Sequence, residues 1–195
     1  LGFPIGFRKL LCEGEIYKIS KLISSYDEKR YRHIHNPYLY RETEVVIARK
    51  FIGQGPPNKK GDKTDIIPLS PIQHMIGAQA TKGIHFLNHF ELERESLGVW
   101  KKDGLTAIEA YPSTVLDHEK ELIDAFATKA NLSLAKTETL SPAKQDRFDA
   151  YKCALVAMDY AEDKDSLIPP EGEIDVNEGW IWTKKIINKE AHEPK

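Results

Sequence analysis

Cysteine is scarce in this chain. Cys12 and Cys153 are the only two, far apart and without CxxC or Cys/His spacing. That excludes a disulfide scaffold and a cysteine-based metal site, and leaves two reduced thiols of a cytosolic protein as the simplest reading. Long apolar runs are also lacking. None approaches the roughly 20 residues that span a bilayer, and no signal peptide is visible, so a cytoplasmic protein without a membrane partner is expected. Neither sign of charge dominates: 28 Lys and Arg stand against 30 Asp and Glu, a formal net charge of -2. Any nucleic-acid surface therefore has to be a local patch. There is no Gly-rich phosphate loop, GxSxG elbow or Cys/His pair, which argues against kinases, serine hydrolases and thiol enzymes.

What is present suits one α/β domain. Of 195 residues, 41% are apolar, enough for a real core, and 30% are charged, enough for a solvated surface. The opening Leu1-Gly2-Phe3-Pro4 lacks a methionine and reads as the exit from a strand, so the sequence is expected to begin inside the domain.

Leu10, Leu11, Ile16, Ile19, Leu22 and Ile23 recur at near-helical spacing and predict an amphipathic helix over 8–25, bent near Gly14. Residues 26–40, rich in Tyr, His and Arg, read as an exposed connection, and a short helix follows over 41–51. The stretch from Gly53 to Gly61 is the clearest loop, with Lys59 and Lys60 as candidate substrate contacts. A long helix is predicted over 72–96, with Ser70 as N-cap, Pro71 at its first position and Gly98 as C-cap. Leu105 to Tyr111 is the best strand, stopped by Pro112. Thr114 and Asp117 resemble a capping box for a helix over 115–129. Ser141-Pro142 opens a helix over 143–161, and Trp180-Ile181-Trp182 forms a short strand. A single domain over 1–183 is expected, followed by a charged, frayed tail over 184–195.

Two acids stand where patterning calls for apolar side chains. Leu105, Ala107, Glu109 and Tyr111 share one face of the strand, Thr106, Ile108 and Ala110 the other, and both faces look buried. Glu109 is thus the only ionisable residue in an apolar strand. It requires an arginine, a metal ion or water at the sheet edge. In the helix over 143–161, Asp149, Cys153, Val156 and Ala157 share one face, with Asp146 one turn earlier. First-turn aspartates also favour the helix dipole without any catalytic role, and a strand glutamate can simply pair with a base. Two acids on packed elements suit hard divalent ions such as Mg²⁺ or Mn²⁺. His85 and His89 lie at i and i+4 without a third ligand nearby in sequence, and His33 and His35 sit in the Tyr/Arg-rich connection. Trp180 and Trp182 read as packing rather than as a base-stacking platform.

The same residues carry a family resemblance. Ala107-Ile108-Glu109-Ala110-Tyr111-Pro112-Ser113, then Asp146-Arg147-Phe148-Asp149-Ala150 leading into Cys153-Ala154-Leu155-Val156-Ala157, then Glu178-Gly179-Trp180-Ile181, resemble in order the motifs of domain-of-unknown-function family 429. Arg41-Glu42-Thr43-Glu44 is similar to its Arg-x-Thr-acid motif, and Leu1-Gly2-Phe3-Pro4 to the end of its Ile-Asp-Ala-Pro-Leu-Gly strand exit. The matches extend over nearly the whole chain.

This resemblance implies an RNase H-like fold, a mixed sheet flanked by helices, with acids converging on a divalent-metal site. It carries over Glu109 and Asp149 as metal-site acids, with Asp146 beside them. The family's first-strand acid has no counterpart here, and its next acid would lie just before Leu1. The implied chemistry is phosphodiester hydrolysis by two Mg²⁺ or Mn²⁺ ions about 4 Å apart. Arg41, Lys59, Lys60 and Lys63 would meet phosphates of DNA or RNA. Two other readings stand beside it: a non-catalytic member binding nucleic acid or protein, and a phosphohydrolase acting on a small phosphorylated molecule.

Overall fold

The computed structural model describes residues 2–24, 36–72, 74–116 and 142–186, and over them the chain is a mixed α/β structure. Pro4, extended at φ -52° and ψ 143°, leads into α1 (Ile5–Cys12). The helix predicted over 8–25 therefore starts earlier, and its bend is a full break. The N–H groups of Glu13, Gly14 and Glu15 fold back onto Lys9, Leu11 and Leu10. Gly14 then takes a left-handed φ of 70°, which glycine adopts without a Cβ clash. A short 3-10 turn (Ile16–Lys18) and α2 (Ile19–Ser24) follow.

α3 (Glu42–Lys50) matches the short helix expected there, carrying Glu42 and Glu44 in its first turn and Arg49 and Lys50 in its last. That order suits the helix dipole. Arginine has no acceptor, so only half a capping box exists: the Glu44 carboxylate accepts the Arg41 N–H at 2.6 Å.

The helix predicted over 72–96 is corrected at its C-terminal end. α4 (His74–His89) stops seven residues short, and β1 (Glu93–Ser96) occupies the remainder. The Leu92 N–H bonds the Leu87 carbonyl at 2.8 Å, the long bond of a Schellman ending. Glu91 at φ 50° supplies the left-handed residue that glycine usually provides. Leu87, Leu92 and Trp100 form a small apolar cluster that holds this reversal. Gly98 is thus a hairpin residue, not a helix cap. Its φ is 70°, and an added Cβ would lie 2.6 Å from the Trp180 backbone.

β2 (Val99–Lys102) and β3 (Leu105–Ala110) are joined by Asp103-Gly104, both at positive φ, the pattern of a type I′ hairpin. The sheet runs β1-β2-β3-β4, with β4 (Ile181–Trp182). The first three strands are antiparallel, and β4 is parallel to β3, with Glu109 opposite Ile181. The two-sided burial expected for β3 holds only in part. Leu105 and Thr106 leave the hairpin tip exposed, and residues 107–111 are half-buried. α5 (Pro142–Glu162) agrees with its prediction and packs against β3 and the 3-10 turn Pro112–Thr114.

The main core joins Ile47 of α3 and Phe51 just after it, Val99 of β2, Leu155 and Val156 of α5, and Trp180 to Trp182. Both tryptophans are buried and donate their indole N–H, Trp180 to the Ile168 carbonyl and Trp182 to that of Gly98. The tail expected from Lys184 begins with an anchored segment, because Lys184 pairs with Leu167 and its ammonium with Asp159 at 3.2 Å. The helix expected over 115–129, apart from residues 115 and 116, lies outside the described residues, as do His33 and His35. No described helix is long and apolar enough to cross a membrane.

Candidate functional site

The N-terminus of α3 and the C-terminal end of β3 meet around one buried guanidinium. Arg41 is 2% exposed and stands between two carboxylates. Its Nη1 donates to Glu109 Oε2 at 2.9 Å and its Nη2 to Glu109 Oε1 at 2.7 Å, a two-point fork. Nε donates to Glu44 Oε1 at 2.7 Å, and Nη2 also bonds that oxygen. Nη1 reaches the Glu178 carbonyl at 2.8 Å. Of the partners Glu109 required, the described residues thus supply the arginine. Arg41, expected to meet phosphate, is turned inward onto protein carboxylates.

Burial shapes each charge. For Arg41 it alone would favour the neutral form, but Glu109 and Glu44 override it and raise its pKa. Burial likewise opposes ionisation of Glu109, and Arg41 overrides it, holding that carboxyl below the ordinary range. For Glu44 burial prevails over Arg41, and its pKa is raised. A single guanidinium shared by two carboxylates thus leaves one of them firmly ionised and the other reluctant.

Glu178 ties the same region together from below. Its Oε1 accepts the Ile5 N–H at 2.7 Å and its Oε2 the Glu42 N–H at 3.0 Å. One buried carboxylate therefore meets the first residues of both α1 and α3, where helix dipoles favour negative charge. Thr43 Oγ1 accepts the Ile181 N–H at 2.9 Å, fastening α3 to β4. Neither Glu44 nor Glu178 was singled out as a site residue from sequence. The acid three residues after Arg41 is a readable capping signal. A cap supplied from 136 residues away is not.

Asp149 is half-buried on α5, and Asp146, one turn earlier, is exposed. The Asp149 charge acts on two neighbours. Burial first, then Asp149, pushes the Cys153 thiol up to about 11. Tyr111, half-buried, is also raised by burial first, against hydrogen bonds with Ser113 and the Leu69 backbone, with Asp149 and Glu44 adding to the rise. Tyr111 therefore feels the charges of both Asp149 and Glu44. A cleft beside the cluster is lined by Ile5, Tyr40, Val45, Glu42, Asp175 and Glu178, among others, and Asp175 is paired with Arg8 at 3.0 Å.

No group of three or more His, Cys, Asp or Glu able to hold a metal occurs among the described residues. His85 and His89 are exposed on α4 with ring centroids 6.2 Å apart. Glu109 and Asp149 are oxygen donors of the kind Mg²⁺ accepts, and that ion commonly takes only one or two protein carboxylates. A carboxylate offers about four lone-pair directions, so the fork from Arg41 does not exhaust the acceptor capacity of Glu109. Lys59 and Lys60 are exposed on the 53–64 loop. No family model, curated protein or solved structure matches this chain.

Proposed function

We propose that the chain is a metal-dependent nuclease of RNase H-like architecture, hydrolysing phosphodiester bonds in DNA or RNA. The observation that carries this reading is the position of Glu109 at the C-terminal end of β3 and of Asp149 on the helix packed against β3 and the turn that follows it. Ligands of open α/β sheets gather at such strand ends. The antiparallel β1-β2-β3 set with a parallel β4 is compatible with the proposed architecture.

Glu109 and Asp149 would hold Mg²⁺ or Mn²⁺. The ion supplies Lewis acidity toward a phosphate oxygen and a water made nucleophilic at neutral pH. The chain's own part is electrostatic and positional. Arg41 favours the ionised form of Glu109 in a half-buried site where burial favours the protonated one. Glu44, Glu178 and the start of α3 fix Arg41 in turn. α5 brings Asp149 on a 21-residue helix rather than on a loop.

A second reading is a non-catalytic protein that binds nucleic acid or protein through the same fold. It is favoured by the Arg41–Glu109 fork, a buried ion pair already satisfied without a metal. Incubating the full chain with Mn²⁺ and end-labelled DNA and RNA separates the two. The nuclease reading expects cleavage that disappears with EDTA and in Asp149→Asn. Cleavage that persists in that variant overturns the Asp149 assignment and points to another site or a contaminant, and none on either polymer favours the binding role.

A further inference from the structure

Between Gly53 and Thr64 the chain builds a hairpin whose exposed tip carries Lys59, Lys60 and Lys63 with a single acid, Asp62. Asn58 Oδ1 accepts the N–H groups of Lys60 at 2.8 Å and Asp62 at 3.1 Å. The Asn58 N–H donates to the Asp62 carbonyl at 2.8 Å and that of Gly61 to the Asn58 carbonyl at 2.9 Å. Gly61 takes a φ of 87°, which favours glycine. Pro57 pairs with Lys63 across the hairpin, and the Gly55 N–H meets the Thr64 carbonyl at 2.7 Å. At the base Asp65 Oδ1 accepts the Gly53 N–H at 2.8 Å, and the Ile66 N–H reaches the Phe51 carbonyl at 3.2 Å, fixing the hairpin to the end of α3.

Asp62, also exposed, accepts from the Asn58 amide at 3.4 Å, and Asp65 is held at the loop base, so lysine outnumbers acid three to one at the tip. Lys59, Lys60 and Lys63 are exposed, and none has an ion-pair partner among the described residues. Lys9, Lys18, Lys50, Lys101, Lys102 and Lys184 each face a carboxylate, and the hairpin gathers three lysines that do not within five residues. The hairpin is thus a preorganised basic tip on a chain with no net positive charge.

We propose that this hairpin grips the phosphate backbone of a nucleic-acid polymer whose scissile region lies at the Glu109 end of α3. The inference rests on the nuclease reading and deepens it, selecting a polymer over a small phosphorylated molecule. Residues 56–63 contain no aromatic or large aliphatic side chain. Protein interfaces are depleted in lysine and anchored by aromatics, whereas unpaired lysines suit phosphates as point charges. The nine residues of α3 put about 13 Å between Arg41 and the base of the hairpin at its far end. A strand rising about 3.4 Å per nucleotide covers that distance in about four nucleotides, and a mononucleotide does not.

The test is fluorescence anisotropy of labelled single-stranded and duplex oligonucleotides in EDTA, across a salt series. The full chain is compared with its Lys59→Gln/Lys60→Gln/Lys63→Gln variant. The proposal expects affinity to fall at least about tenfold and the salt slope to shrink by about 2 to 3. Parallel salt plots, or no binding by the unmodified chain, overturn it. So does poly-glutamate competing as well as unlabelled nucleic acid, which would make the partner an acidic protein. Because EDTA removes the metal, binding through the lysines without Mn²⁺-dependent cleavage upholds the hairpin and overturns the nuclease reading alone.

Discussion

Arg41 and Glu109, 68 residues apart, meet as a two-point fork with both N···O distances below 3 Å. The same guanidinium serves Glu44, so one buried cation balances acids from a helix and a strand. The site region is organised around that cation.

Removing it should be costly. Arg41→Met strands two carboxylates in the interior and is expected to destabilise the chain by about 3–5 kcal/mol, read from urea unfolding. Arg41→Lys retains the charge but not the fork, and should recover only part of the loss. Equal stability of Arg41→Met and the unmodified chain would mean the buried pairs do not form.

Glu178 is a second hinge of the arrangement. In Glu178→Gln a single carbonyl oxygen can meet only one of the Ile5 and Glu42 N–H groups, and the amide NH₂ opposes the other. A loss of about 1–3 kcal/mol is expected, with weaker helical signal in far-ultraviolet circular dichroism. An unchanged urea midpoint would show that the double cap carries no weight.

Stability should also depend on pH through Glu109. Its folded pKa is depressed below the ordinary 4.5: burial raises it, and Arg41 leads the interactions that lower it. The unfolded chain then binds the proton more readily, so this carboxyl adds stability above pH 4.5 and loses it as the pH falls through its folded value. Glu44, raised by burial, has the opposite sign: its contribution declines as the pH rises above 4.5. The stability gap between the unmodified chain and Glu109→Gln should therefore be widest near neutrality and narrow below pH 4.5. A gap independent of pH would contradict the pairing.

The thiols report on Asp149. Cys12 is exposed, whereas Cys153 is pushed up to about 11 by burial and then by Asp149. Near neutral pH the half-buried Cys153 should react with a thiol reagent more slowly than the exposed Cys12. Asp149→Asn should speed it up, and an unchanged rate would place Asp149 away from this face of α5.

Much of this fold was legible in the sequence, for local reasons. α3 and α5 carried helical periodicity with acids, bases and Pro142 where helix ends favour them. β3 was an apolar run stopped by Pro112. The end of α4 was misread because Glu91 holds the left-handed position that glycine usually marks. Gly98 then looked like the missing cap, although it serves a hairpin pressed against Trp180. Of the site, Glu109 stood out as an acid among apolar neighbours, and the need for a partner followed from the energetics of burial. Which base would come was not readable. Arg41 and Glu178 reach that cluster only through tertiary packing, and periodicity carries no information about contacts of that range.

The most direct measurement of the central proposal is a Mn²⁺ titration by isothermal calorimetry of the full chain and of its Glu109→Gln/Asp149→Asn variant. The variant's fold is checked by its unfolding transition. If these two acids hold the ion, the unmodified chain binds Mn²⁺ and the folded variant loses that binding. Mn²⁺ binding that survives both substitutions unchanged would contradict the assignment.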